Sequence, residues 1–135
     1  MEGEAAIQIT KVGAGSVKVS RDGMWLFYQG LTPPLSIHRV RPDGSDDTVV
    51  VDEDVRIGMY ATTERGLWFV TNPVAGKPSV ILKRLDFASG AIRDMATIDF
   101  VPITVGIAMS ADERYAHITR NDRNGSDLLL VTDFR

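Results

Sequence analysis

Short β-rich runs recur in this chain in a fixed order about every 45 residues, and that repetition restricts its folds more than any other feature. The runs are SVKVS, MWLFYQ, SIHRV, TVVV, LWFVT, VILKRL, ITVGIAM, YAHIT and DLLLVT. Each is rich in Val, Ile, Thr or aromatic residues and is bounded by Gly, Pro, Asn, Asp or Ser, the pattern of a strand between turns. No fifteen-residue window carries a 3.6-residue apolar period, so an all-β chain is expected. Each unit runs through a short strand, a tight acidic turn, an aromatic strand, a longer loop, a third strand, a Gly-containing turn and a fourth strand. The tight turns are Asp22-Gly23, Glu64-Arg65-Gly66 and Asp112-Glu113-Arg114. Asp-Gly and Asn-Gly suit two-residue hairpin turns, whose central positions need positive φ. The third strands end alike, in IHRVRPDGS, LKRLDFASG and LLLVTDF, and aligning Val40, Leu85 and Val131 gives spacings of 45 and 46 residues.

A period of 40–50 residues with four strands per unit is the mark of β-propeller blades. A β-sandwich of the immunoglobulin type is the alternative, but a sandwich has no reason to repeat itself at this spacing. The residues also carry a family resemblance. VSRDGMWLFYQG and MSADERYAHITRNDRNGSDLLLVTDF resemble the Ser-Pro-Asp-Gly-Lys blade motif of TolB-type, WD40-like propellers. Ser20, Asp22, Gly23, Trp25 and Tyr28 match its first half closely. Ser110, Asp112 and Tyr115 match more loosely, with Glu113 in place of the turn glycine, and the middle unit departs most, with Thr62-Thr63-Glu64-Arg65-Gly66. The resemblance runs from about Ile7 to Phe134. The tail RNDRNGSDLLLVTDFR is similar to the last blade of large bacterial regulators in which a winged-helix DNA-binding domain precedes a TolB-like propeller. It implies a propeller fold and leaves function open, because propellers host many activities.

Counted against this motif, residues 5–10 (AIQIT and its flank) are expected to form a lone outer strand, 11–54 a blade, 55–99 a second blade and 100–135 an incomplete third. The strands are phased so that the first could complete the last. Three blades are about half of a six-bladed ring and too few to close one, since propellers have at least four. Two copies could complete a ring as a C2 dimer, each lending its leading strand to the other, or a longer chain could supply the missing blades. A blade face of four strands and six residues covers roughly 400 Å². A three-blade arc leaves two such faces and a strand edge bare, so self-association is expected.

At 135 residues the chain fits one domain. Its net charge of −3 and lack of a basic run argue against nucleic-acid binding through this chain. With no cysteine, disulfides, thiolate zinc sites and thiol catalysis are excluded. MEGEAAIQIT has two glutamates where a signal peptide needs positive charge, and the uncharged stretch 100–110 is too short to span a bilayer. A cytoplasmic protein without membrane contact is the default reading, although a periplasmic protein can also lack cysteine.

No catalytic, cofactor or metal residue is assigned from the sequence. His38 and His117 each sit within a strand among apolar residues, without a second histidine nearby, and are expected to be structural. Asn121 to Asp127 resembles a calcium loop, but aligning Gly125 with the loop glycine puts Arg120 first and Val131 where the bidentate glutamate belongs. A polar hairpin with an Asn-Gly turn is expected there. The six carboxylates from Asp43 to Asp54 read as a solvated acidic loop. Gly13 to Ser16 (GAGS) lacks the rest of a phosphate loop and is expected to be the inter-blade turn. Trp25 and Trp68 fall at comparable places and are expected to pack between blades. Two functions follow: a non-catalytic module for protein interaction or ligand sensing, as the accessory part of a bacterial transcriptional regulator, or a propeller fragment of a peptidase or other enzyme.

Overall fold

The computed structural model describes residues 5–102, 106–122 and 125–132, with backbone alone at 121–122 and 125–127. Among the described residues the β-rich runs form eleven strands and no helix. They are β1 (Ala14–Val19), β2 (Leu26–Gly30), β3 (Ile37–Val40), β4 (Thr48–Val51), β5 (Val55–Thr62), β6 (Gly66–Thr71), β7 (Val80–Asp86), β8 (Ile92–Ile98), β9 (Ile107–Met109), β10 (Ala116–Asp122) and β11 (Gly125–Val131). These make three antiparallel sheets in chain order, β1-β2-β3-β4, β5-β6-β7-β8 and β9-β10-β11, each a meander of sequential neighbours. The chain is thus all-β. A two-sheet Greek-key sandwich is not what it forms, because every strand pairs only with its neighbour in sequence.

The 45-residue spacing falls on equivalent positions in the register. Val40 lies opposite Leu26, Leu85 opposite Leu67 and Val131 opposite Ala116. The first strands of successive sheets lie side by side, β1 against β5 and β5 against β9. The second sheet is consequently buried on both faces, and its period-2 alternation splits β6 between two cores. Leu67 and Phe69 join Tyr60 and Leu85 against Phe27, Ile37 and Val51 of the first sheet. Trp68 and Val70 join Met59, Val80 and Leu82 against Ile107, Ala116 and Ile118 of the third. Hence GLWFVT reads as a continuous apolar run, as strands covered on both sides do.

Polar groups fix how the first two sheets meet. β5 carries a bulge between Val55 and Tyr60, with Gly58 at φ 69°, and the bulge takes the Gly58 amide out of the ladder. Gln29 of β2, only 1% exposed, satisfies it. Its Oε1 accepts from Gly58 N at 2.9 Å, while its Nε2 donates to Val55 O at 2.9 Å and Leu35 O at 3.1 Å. Tyr60 completes the junction by donating its hydroxyl to the carbonyls of Ser16 and Phe27.

Three local expectations are corrected, while residues 5–10, expected as a lone strand, have no ladder partner in the single copy and run past the β3–β4 turn. There the Ile9 carbonyl lies 3.1 Å from where a Cβ on Gly44 would sit. Gly13 to Ser16 is not a turn, because Ala14, Gly15 and Ser16 open β1 through a bulge, with Ser16 at φ 51°. Asp22-Gly23 is the inner pair of a longer loop closed by Ser20 N donating to Trp25 O, and of the two only Gly23 has positive φ. Gly125 pairs with Asp122 as the first residue of β11, so it is not a turn centre; residues 123–124 lie outside the described residues, as do the side chains of 121–127 on which the calcium-loop comparison rests. No helix among the described residues is long and apolar enough to cross a membrane.

Candidate functional site

The turn between the first two strands of each unit sets what stands at the junction with the next sheet. In the first unit Ser20 Oγ donates to Asp22 Oδ1 at 2.6 Å, and the Met24 amide donates to the same oxygen at 2.9 Å. The third unit repeats this with Ser110, Asp112 and Arg114, and Glu113 takes the place of Gly23 at φ 60°. These hydrogen bonds hold the Asp22 and Asp112 carboxyls below the usual carboxylate range, the serine hydroxyl being the largest cause in each. Both loops span six residues between paired strand ends, 20–25 and 110–115. The middle loop spans only four, 63–66, capped by Thr63 Oγ1 accepting from the Arg65 and Gly66 amides.

Replacing the turn glycine with Glu113 puts a carboxylate between the second and third sheets. Arg84 of β7 grips it, Nε at 3.0 Å and Nη2 at 3.3 Å, while Nη1 reaches Asp86 at 2.9 Å. The Arg84 and Glu113 side chains are 17% and 10% exposed. Burial pushes the Glu113 carboxyl up, but hydrogen bonds from Thr63, Arg84 and Trp68, with the Arg84 charge, outweigh it and hold the group below its ordinary value. Asp86 is drawn down to about 2, by hydrogen bonds from Ser89 first and Arg84 second. Gly66 makes room for this arrangement: a Cβ there would meet Leu85 O at 2.8 Å and the Arg84 guanidinium at 3.1 Å. A cleft of about 260 Å³ beside the pair is lined by Trp68, Arg84, Arg93 and Met95.

The junction of the first and second sheets holds a larger cleft of about 340 Å³ in the equivalent position. Its floor is Phe27 stacked on Phe87, centroids 5.7 Å apart and planes 8° from parallel. Arg39 lies opposite Phe27 in the ladder, as Arg84 lies opposite Trp68. The register therefore makes Phe27, not Trp25, the counterpart of Trp68. The two tryptophans are not comparable: Trp68 is fully buried in the core, whereas half-buried Trp25 stands at the cleft under the guanidinium groups of Arg39 (4.2 Å) and Arg41 (3.8 Å). The two-residue difference in loop length hid this in the sequence.

The histidines lie on different sheets, His38 on β3 and His117 on β10. His38 stacks on Tyr28 at 4.8 Å, its Nε2 is 3.2 Å from Ser36 Oγ, and its Nδ1 is 3.7 Å from Asp47. That order of groups matches a serine nucleophile, base and orienting acid, but the backbone beside Ser36 is committed. Leu35 N donates to Asp54, Ser36 N to Pro34 O, and Gly30 N to Ser36 O. An oxyanion needs free donors aimed at one point, and these are spent. Asp47 meanwhile accepts from Tyr28 Oη at 2.7 Å; burial and then this carboxylate raise the phenol above its ordinary value. The cluster reads as a structural tie between β2, β3 and the β3–β4 turn.

The acidic stretch is solvated, with all of its carboxylates but Glu53 on exposed residues, and several of them also tie neighbouring segments together. Asp43 caps its own turn through Ser45, Asp46 pairs with Arg41, Glu53 reaches Lys83 at 2.7 Å, and Asp54 holds both Leu35 and Asn72. Hydrogen bonding to Glu53 is the main cause that raises the Lys83 amine. These carboxylates face different partners because the stretch crosses from one sheet to the next. No group of three His, Asp or Glu residues among those described is arranged to hold a metal ion. Gln29, Arg39 and Arg84 carry no sequence motif; only their partners across the fold reveal them. No protein-family model matches the chain, and no curated protein matches it.

Proposed function

We propose that this chain is a non-catalytic binding module built of β-propeller blades, three of a six-bladed ring that two copies complete as a C2 dimer. The observation that carries the proposal is the outer edge of β11. In the first two sheets a fourth strand, β4 or β8, covers the third strand. Among the described residues no strand covers β11, and Leu128 and Leu130 on it are 68% and 54% exposed. Residues 5–10, meanwhile, read as a strand in the sequence and have no ladder partner among the described residues, and Ile7 is 71% exposed. An open edge and an unpaired strand are complementary, and a second copy supplies both twice. Sequential four-strand meanders with adjacent first strands are what blades around an axis require. The resemblance to winged-helix regulators supports reading the module as the accessory part of a cytoplasmic transcriptional regulator, with the clefts between blades as its binding features. Size-exclusion chromatography with light scattering tests the assembly: the expected mass is twice 14.8 kDa, and a stable monomer at micromolar concentration overturns it.

A further inference from the structure

The two inter-sheet clefts are equivalent in register but not in content. Between the second and third sheets, the arginine of the third strand, Arg84, is met by the carboxylate of Glu113. Between the first and second, Arg39 has the same place, yet the turn facing it is the short one, 63–66, and has no residue corresponding to Glu113. Arg39 Nε is buried and, among the described residues, has no hydrogen-bond partner. Buried polar groups nearly always find one, so this donor marks a place where an acceptor belongs. The two carboxylates in the cleft wall are committed elsewhere: Asp22 to Ser20 and Met24 of its own turn, and Glu64 to Arg21 at 3.5 Å, out at 74% exposure.

We propose that the cleft between the first and second sheets binds a small carboxylic acid with an aromatic body. The carboxylate takes the position on Arg39 that Glu113 takes on Arg84, and the ring lies against the Phe27–Phe87 stack beside Trp25. A guanidinium fork suits a planar carboxylate, and flat aromatic walls suit a flat ligand. A cleft of about 340 Å³ matches the lower end of small-ligand sites. The inference rests on the binding-module reading only in expecting no turnover, and it needs no second copy, so the light-scattering result leaves it untouched.

The test is titration of the full chain with 3-phenylpropionate, followed at the Trp25 indole signal, which Trp25→Phe assigns. A saturable shift is expected, with 3-phenylpropionamide at least tenfold weaker and Arg39→Met lowering affinity for the acid at least tenfold. No saturable shift up to about 10 mM overturns the proposal. So does equal affinity for acid and amide in the unmodified chain, a comparison that holds even if Arg39→Met fails to fold. N-acetylphenylalanine stands for the carboxylate end of a peptide. A tenfold preference for it over 3-phenylpropionate would contradict a small-molecule occupant.

Discussion

Replacing Gln29 with leucine tests the account of how the first two sheets are joined. The change keeps nearly the same volume at a side chain that is 1% exposed, so packing is little disturbed. It removes three hydrogen bonds, but the three backbone partners do not lose equally. Leu35 O still accepts from Val55 N at 3.3 Å. Gly58 N, displaced from the ladder by the β5 bulge, loses the Gln29 acceptor, and Val55 O loses the donor at 2.9 Å. Two buried polar groups left unpaired cost about 1–3 kcal/mol each, and the added apolar burial of leucine returns part of that. A net loss of about 2–3 kcal/mol is expected, a large share of the stability of a domain this size. Urea unfolding followed by far-ultraviolet circular dichroism should show the midpoint falling by about 1–2 M. Gln29→Glu should be at least as damaging, since it presents an acceptor to the Val55 and Leu35 carbonyls. A loss below about 0.5 kcal/mol for Gln29→Leu, the level of a surface substitution, would refute the reasoning.

The remaining expectations concern the Arg84 junction and the His38 cluster. Gly66→Ala places a methyl group 2.8 Å from the Leu85 carbonyl, a backbone atom with little freedom to yield, and should cost about 1–3 kcal/mol in the same urea assay. Glu113 has its folded pKa below the ordinary value, so its contribution is full above that ordinary value and is lost as pH falls through the folded one. Urea midpoints across the acid range should therefore fall less steeply for Glu113→Gln than for the unmodified chain; parallel profiles would contradict the Arg84–Glu113 assignment. Ser36→Ala should leave hydrolysis of a simple nitrophenyl ester at the rate of the unmodified chain, and a drop would make the Ser36–His38–Asp47 cluster catalytic.

Much of the fold is legible in local sequence because its determinants are local. Ser20-x-Asp22 and Ser110-x-Asp112 build their turns from side chains two residues apart, and Val40, Leu85 and Val131 mark one register position three times. The junctions are less legible, because their determinants are long-range. Gln29 looks like an ordinary polar strand residue until its partners 26 and 29 positions away are known. Glu113 looks like a poor turn glycine, yet its side chain is what ties the third sheet to Arg84. Trp25 and Trp68 seem comparable only when counted from turns whose lengths differ. The carboxylates from Asp43 to Asp54 form a charge cluster in sequence, and five of the six make separate ties in space. The cleft at Arg39 was invisible for the same reason: it depends on a turn two residues shorter, one sheet away.

Cross-linking tests the central claim, that the leading segment of one copy completes the third sheet of another. The chain has no cysteine, so Ile7→Cys and Leu130→Cys introduce the only thiols, both at exposed positions. Treatment of the double variant with a short bis-maleimide should give a covalent dimer on a denaturing gel, and neither single variant should give one. A double variant that stays monomeric, or that links its two thiols within one chain, would contradict strand exchange between copies.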